Sequence, residues 1–153
     1  MLWAVTGHTA AEIISMRADS KTANMGLTSW KGSIVRKGDV SVAKNYLGAD
    51  EMDELNRIVT MYLDYAELQA RSRKTITMAQ WEEELDAFLN FNERDLLKNA
   101  GKVSAEVVER LALERYDEFE KSRRKEEAVQ ADADDIEEIE RFAKNIEKRS
   151  PDA

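Results

Sequence analysis

Among the polar side chains between His8 and Asn45, ten could do chemistry: His8, Glu12, Arg17, Asp19, Asn24, Thr28, Ser29, Lys31, Lys44 and Asn45. Arg17, Lys31 and Lys44 have the charge to hold an anion, and Glu12 or Asp19 could act beside them as base or metal ligand. Such a set would suit a nucleotide or another phosphate-bearing substrate. The bland alternative is a hydrogen-bonded network that pins a long loop, and residue types alone leave both open. Trp30 beside Lys31 invites base stacking, but a loop anchor buried under the Gly turns explains it more simply. The candidate site is therefore Glu12 and Asp19 as catalytic groups, with His8, Arg17, Asn24, Ser29, Trp30, Lys31, Lys44 and Asn45 as binding groups.

Sharper chemistries are poorly supported. His8 and Glu12 are four residues apart and could meet one metal ion, but this is the only His and the chain has no Cys. Most metal sites need three or more protein ligands, so no metal and no cofactor is expected. Ser29, His8 and Asp19 make a triad only on paper, because no G-x-S-x-G elbow is present. Neither a Walker loop nor a G-x-G-x-x-G fingerprint occurs, and the even spacing of Gly26, Gly32 and Gly38 matches neither.

The elements that must position these groups are helical. Thr9-Ala10-Ala11-Glu12 is a capping box opening a short helix whose apolar face is Ile13 and Ile14. Residues 19–38 carry no helical period, although Met25, Leu27 and Trp30 offer apolar surface to dock. Ser33-Ile34-Val35 could form a small strand. Asp39 is a plausible N-cap for a second short helix ending near Leu47. A long helix opens at Asp50 with the stripe Leu55, Ile58, Val59, Tyr62, Ala66 and Ala70, and Arg71 to Lys74 give it a basic end. Thr77 to Gln80 repeat the capping box before Trp81, Leu85, Phe88 and Leu89. Asn92 restarts a short helix through Leu96 and Leu97 to Gly101. Ser104 caps the last helix, with Val107, Val108, Leu111, Ala112, Tyr116 and Phe119 on one face. The expectation is an all-α chain: an irregular bundle of about five helices with a long ordered loop near the N-terminus.

Two stretches set the domain plan. Residues 1–119 hold nearly all the apolar periodicity and read as one domain; residues 120–153 read as a charged helical extension. Within 120–135 only Val129 is a sizeable hydrophobe, and Lys121-Ser122-Arg123-Arg124-Lys125 is followed at once by Glu126 and Glu127, which suits a solvated face. Ile136, Ile139, Ala143 and Ile146 then recur at heptad-like spacing, with Phe142 beside them. That helix could pack back on the domain, remain solvated or meet a partner helix, a homodimer among the options. Pro151 is the only proline among 153 residues, in keeping with helix throughout.

With no Cys there is no disulfide framework, and no apolar run approaches the ~20 residues of a membrane span. Leu2-Trp3-Ala4-Val5 is too short for a signal-peptide core. A cytoplasmic location without membrane association is the default expectation. Met1 to Val5 is apolar enough to read as the end of a buried element.

The strings TAAEII at 9–14, RAD at 17–19, NMGLTSWKG at 24–32, DV at 39–40 and VAKNYL at 42–47 resemble the virulence protein RhuM family. The likeness continues through Leu55-Asn56, Tyr62-Leu63, Ala66-Glu67, Trp81, Leu85-Asp86, Phe88-Leu89 and Gly101-Lys102, covering about residues 3–119. It implies a link to bacterial virulence or mobile islands and no particular biochemical activity. It also implies a longer parent protein, with a winged-helix-like DNA-binding region N-terminal to this chain. On that reading the chain is a C-terminal interaction or regulatory module. Its partners would be that N-terminal domain and, through it, DNA.

Net charge is −8, and it is uneven: residues 1–50 carry six Lys/Arg against four Asp/Glu. That excess is too small to overcome the repulsion of phosphate by the remainder. The chain alone is expected to bind duplex DNA weakly or not at all in a mobility-shift assay at moderate salt. A tight, salt-sensitive shift would contradict this.

Overall fold

In the computed structural model the described residues are 1–72 and 75–149, the side chains of 147–149 excepted. Arg73 and Lys74 of the expected basic helix end, and Pro151, lie outside them. The chain is all-α, with five α-helices and no strand among the described residues. These are α1 (Leu2–Thr6), α2 (Ala10–Arg17), α3 (Ala49–Arg71), α4 (Met78–Phe91) and α5 (Ala105–Arg149). Two 3-10 turns, Ala23–Gly26 and Ala43–Tyr46, punctuate the long loop between α2 and α3.

Local signals set most boundaries. Thr9 caps α2: its hydroxyl accepts the Glu12 N–H at 3.3 Å, and the Glu12 carboxylate accepts the Thr9 N–H at 2.9 Å. Thr77 and Gln80 make the same reciprocal pair at the start of α4. α1 stops at Gly7, whose φ of 68° is the left-handed C-cap conformation that costs glycine nothing.

Three boundaries differ from expectation. Asp39 caps no helix; its carboxylate instead accepts the Arg36 N–H at 2.9 Å and the Lys31 N–H at 3.4 Å, closing a turn. The expected helix ending near Leu47 is accordingly one 3-10 turn preceded by Val42. Ser33-Ile34-Val35 forms no strand. Residues 92–104 contain no helix: Glu93 takes a φ of 56°, and the Arg94 N–H returns to the Leu89 carbonyl at 2.9 Å, so the chain turns off α4. An ion pair between Arg94 and Glu54 of α3 then holds the segment across the helix pair.

The chain divides into two compact units, Met1–Tyr116 and Asp117–Ala153. In the first, α1 packs on α3 and α2 packs on the second 3-10 turn. Ala4, Ile58 and Leu89 form one core cluster, with Met1, Val5, Leu85, Phe88 and Leu96 against it. The α3–α4 pair is closed by aromatics: the Tyr62 ring lies 6.2 Å from Trp81 and 5.3 Å from Phe88, and its hydroxyl donates to the Trp81 carbonyl at 3.1 Å. The loop is anchored, since Met25, Leu27, Val35, Val40, Tyr46 and Leu47 are all buried.

The described part of the second unit is the α5 helix from Asp117 to Arg149, laced by ion pairs four residues apart such as Glu120–Arg124 at 2.8 Å and Glu137–Arg141 at 3.1 Å. Every buried hydrophobic side chain among the described residues lies at or before Tyr116. A chain ending at Glu120 should therefore melt within a few degrees of the full chain, since burial of apolar area supplies most of the stability. Differential scanning calorimetry on both checks this; a larger loss would mean that residues beyond Glu120 contribute core contacts.

Candidate functional site

The residues singled out from the sequence are placed mainly by backbone hydrogen bonds. Glu12 sits in the first turn of α2. One carboxylate oxygen accepts the Thr9 N–H, and the other accepts the Lys102 N–H at 3.0 Å. One side chain thus caps α2 and fastens a segment 90 positions away. The approach is close there: a Cβ on Gly101 (φ 81°) would lie 2.6 Å from the Thr9 methyl. The Thr9 and then the Lys102 N–H hold the Glu12 carboxyl below its ordinary range.

Arg17, the last residue of α2, makes a two-pronged pair with Glu51 at 2.6 and 2.7 Å and donates to the Tyr46 carbonyl at 2.9 Å. Glu51 also accepts the Gly48 N–H at 2.9 Å, which caps α3. Bidentate pairing gives both direction and strength. The Arg17 hydrogen bonds are the main reason that the Glu51 carboxyl drops to about 2, and the same bonds raise the guanidinium. Tyr46 is buried with its hydroxyl donating to the Val40 carbonyl at 2.8 Å, and burial pushes the phenol to about 12.

Asp19 closes a local turn, accepting the Lys21 N–H at 3.0 Å and the Thr22 hydroxyl at 2.9 Å. These two bonds, the Lys21 N–H first, lower its carboxyl. Asn24 and Met25 both have positive φ, 52° and 59°, and Gly26 continues at 78°. A left-handed residue costs about 1–2 kcal/mol for non-glycine types, Asn less than most. Complete burial of Met25 offsets that by about 1.5–3 kcal/mol. Gly26 has no alternative: a Cβ there would lie 2.3 Å from the Arg17 carbonyl oxygen.

Further along, the Thr28 hydroxyl donates to the Asn45 and Leu47 carbonyls, and the Thr28 and Ser29 N–H groups reach the Asn45 carbonyl at 2.8 and 3.2 Å. Asn45 donates through its side chain to the Asp39 carbonyl at 2.9 Å. His8 is half-buried, with Nδ1 2.7 Å from the Thr6 carbonyl. A carbonyl can only accept, so that nitrogen carries the proton.

The structure thus brings Arg17 to the end of the second 3-10 turn and ties Glu12 to Lys102. Asp19 and Thr28 each close turns of their own. Trp30 is half-buried, while Ser29, Lys31 and Lys44 have exposed side chains. Glu12, Arg17 and Asp19 bond to three different sets of partners, none of them the side chain of Lys31 or Lys44. Among the described residues no group of three or more His, Cys, Asp or Glu is placed to hold a metal ion, and no helix is long and apolar enough to cross a membrane.

Two partners were not foreseen. Glu51 is one, although its place three residues after Gly48 is a helix-capping position. Arg115 is the other: its guanidinium donates to the Ser15 and Ala18 carbonyls at 3.1 and 2.6 Å, satisfying the open C-terminal end of α2. Its signal is a cation standing between Ala112 and Tyr116 on the apolar face of α5.

Fold and geometry together define a helical module whose long loop is clamped by its own polar side chains. The chain belongs to the virulence protein RhuM family, whose sequence pattern matches residues 1–127. No curated protein and no solved structure matches it.

The Arg17–Glu51 pair has a pH signature. Glu51 titrates near 4.5 when unfolded and at about 2 when folded. Its contribution is therefore complete above about pH 5 and is lost as pH falls through the folded value. Both side chains keep about a third of their exposure, so the effect, discounted for solvent, is about 1–2 kcal/mol. Thermal melts between pH 7 and pH 2 should show Arg17→Met less stable at neutrality with a shallower acid decline. Parallel curves for the two proteins would remove the pair's role.

Proposed function

We propose that this chain is a non-catalytic interaction and regulatory module of a RhuM protein, acting with a DNA-binding region N-terminal to it in the parent protein. The observation that carries this reading is the use to which Glu12, Arg17 and Asp19 are put. An enzyme acting on a phosphate-bearing substrate would need them as base and anion clamp. Each is instead committed to bonds that hold the chain's own turns and helix ends. A general base serving near neutrality needs a raised carboxyl pKa, and here Glu12 and Asp19 are both lowered.

What the pinned loop presents outward is a mixed surface: Lys31 and Lys44 with Ile34 and Val42, the last two nearly half exposed. Rigid loops that display such residues are a common form of binding surface. The N-terminal region of the parent protein is the partner this reading assigns to it, and DNA is reached only through that region.

The test uses this chain and, produced separately, the N-terminal region of the parent protein. Glu12→Gln should lower the melting temperature by several degrees, because two backbone donors lose a charged acceptor. Lys31→Ala with Lys44→Ala should leave the melting temperature unchanged. That pair should weaken association of this chain with the separately produced N-terminal region, measured by titration calorimetry. Turnover of a nucleotide or phosphate ester that Glu12→Gln abolishes without loss of stability would overturn the reading in favour of an enzyme.

A further inference from the structure

Past Tyr116, α5 carries an apolar stripe that the second unit leaves uncovered. Val129, Ile136, Ile139, Phe142 and Ile146 are all more than half exposed, Ile139 and Phe142 at 69% and 68%. Val129, Ile136 and Ala143 recur at sevens, and Ile139 and Ile146 follow three residues after Ile136 and Ala143. At about 100° per residue these five fall within roughly a quarter-turn of arc, with Phe142 at one edge. That is the seam by which one helix receives another.

The charges around the seam select the occupant. Residues 126–140 contain eight Asp and Glu and no Lys or Arg. Asp132 falls inside the stripe, Asp135 at its Phe142 edge and Glu140 along the other. Among the described residues Asp132, Asp135 and Glu138 have no ion pair or hydrogen bond within the chain, whereas Glu137 and Glu140 pair with Arg141 and Lys144. A second copy fits badly in either direction. Packed parallel in register, Asp132 would meet Asp132 in the seam and Asp135 would flank Glu140. Packed antiparallel with Ile136 against Ile139, Asp135 of one copy would lie level with Glu140 of the other, and Asp132 would be held in the seam level with Ala143. Like charges in these positions oppose pairing.

We infer that the stripe from Val129 to Ile146 is a docking face for a basic amphipathic helix of another protein. Its apolar residues cover Ile136, Ile139 and Ile146, and its Lys and Arg neutralise Asp132 and Asp135. The inference shares with the preceding reading the premise that the chain acts by binding, but it concerns a different surface. Its failure would leave the loop's partner standing, and loss of the loop's partner would leave this face standing.

The experiment uses the full chain and two short synthetic helical peptides with the same Leu and Ile seam, one flanked by Lys and Arg and the other by Glu. Binding is followed by fluorescence anisotropy. The basic peptide should bind at least about tenfold more tightly, and added salt should narrow the gap. Ile139→Asn with Ile146→Asn should weaken it at least about tenfold. Asp132→Lys with Asp135→Lys should reverse the preference toward the acidic peptide, with circular dichroism confirming unchanged helix in both variants. Equal affinity for the two peptides, or basic-peptide binding that survives loss of the isoleucines, overturns the inference. So does self-association in sedimentation that the isoleucine variant abolishes, which would assign the face to a second copy. A fall of several degrees in melting temperature from that same variant would assign it to the chain's own first unit, and would overturn the inference as well.

Discussion

The organisation of the first unit depends on Arg17. At the C-terminal end of α2 its guanidinium reaches two targets at once, the Tyr46 carbonyl and both oxygens of Glu51. Glu51 in turn caps α3 through the Gly48 N–H. One planar donor therefore fixes the end of α2, the end of the second 3-10 turn and the start of the long helix. The fork geometry matters more than the charge: a Lys could supply the cation but not parallel bonds to a carboxylate. The loop that separates these elements in sequence need not contribute regular structure, because its two ends are already held.

That constraint explains the form of the Asn24-Met25-Gly26 turn. With Arg17 committed to Glu51 and Tyr46, the returning chain must pass directly over the α2 terminus. The Asp19 N–H meets the Met25 carbonyl at 3.2 Å, and Gly26 comes within a Cβ's reach of the Arg17 carbonyl. Three successive left-handed residues make this close passage possible, and the buried Met25 side chain supplies the apolar contact that stabilises it. Glycine is needed for clearance as well as for its φ.

What was legible in the sequence was local. The capping boxes at Thr9 and Thr77 could be read because both partners lie within four residues and physical chemistry fixes their spacing. The all-α class followed from the long periodic stripes, and the family from the stretch around NMGLTSWKG. The expected helix between Asn92 and Gly101 was wrong because a left-handed Glu93 and the Arg94–Glu54 pair pull the chain off its helical path, and the pair depends on α3. Asp39 carried a cap's residue type, but its carboxylate closes the Arg36 turn instead. The polar cluster was found as a set of residues; its partners were not. Glu12 meets Lys102, Arg17 meets Glu51 and Arg115 meets Ser15, contacts separated by 90, 34 and 100 positions. No spacing rule reaches that far.

The two units are stabilised by different physics. The first rests on burial and on long-range bonds to backbone groups. In the second, pairs four residues apart contribute about 0.2–0.5 kcal/mol each, and Arg123 adds a contact over the Phe119 ring at 5.7 Å. A solvated helix of good helix formers needs little more than this, and in particular it needs no isoleucine, whose branched side chain is a mediocre helix former. Alanine or glutamate at Ile136, Ile139 and Ile146 would favour the helix at least as well and would expose less apolar surface to water. The isoleucines are thus in excess of what the helix itself requires, and their spacing of three and then seven residues is one at which an apolar surface is useful to a second helix.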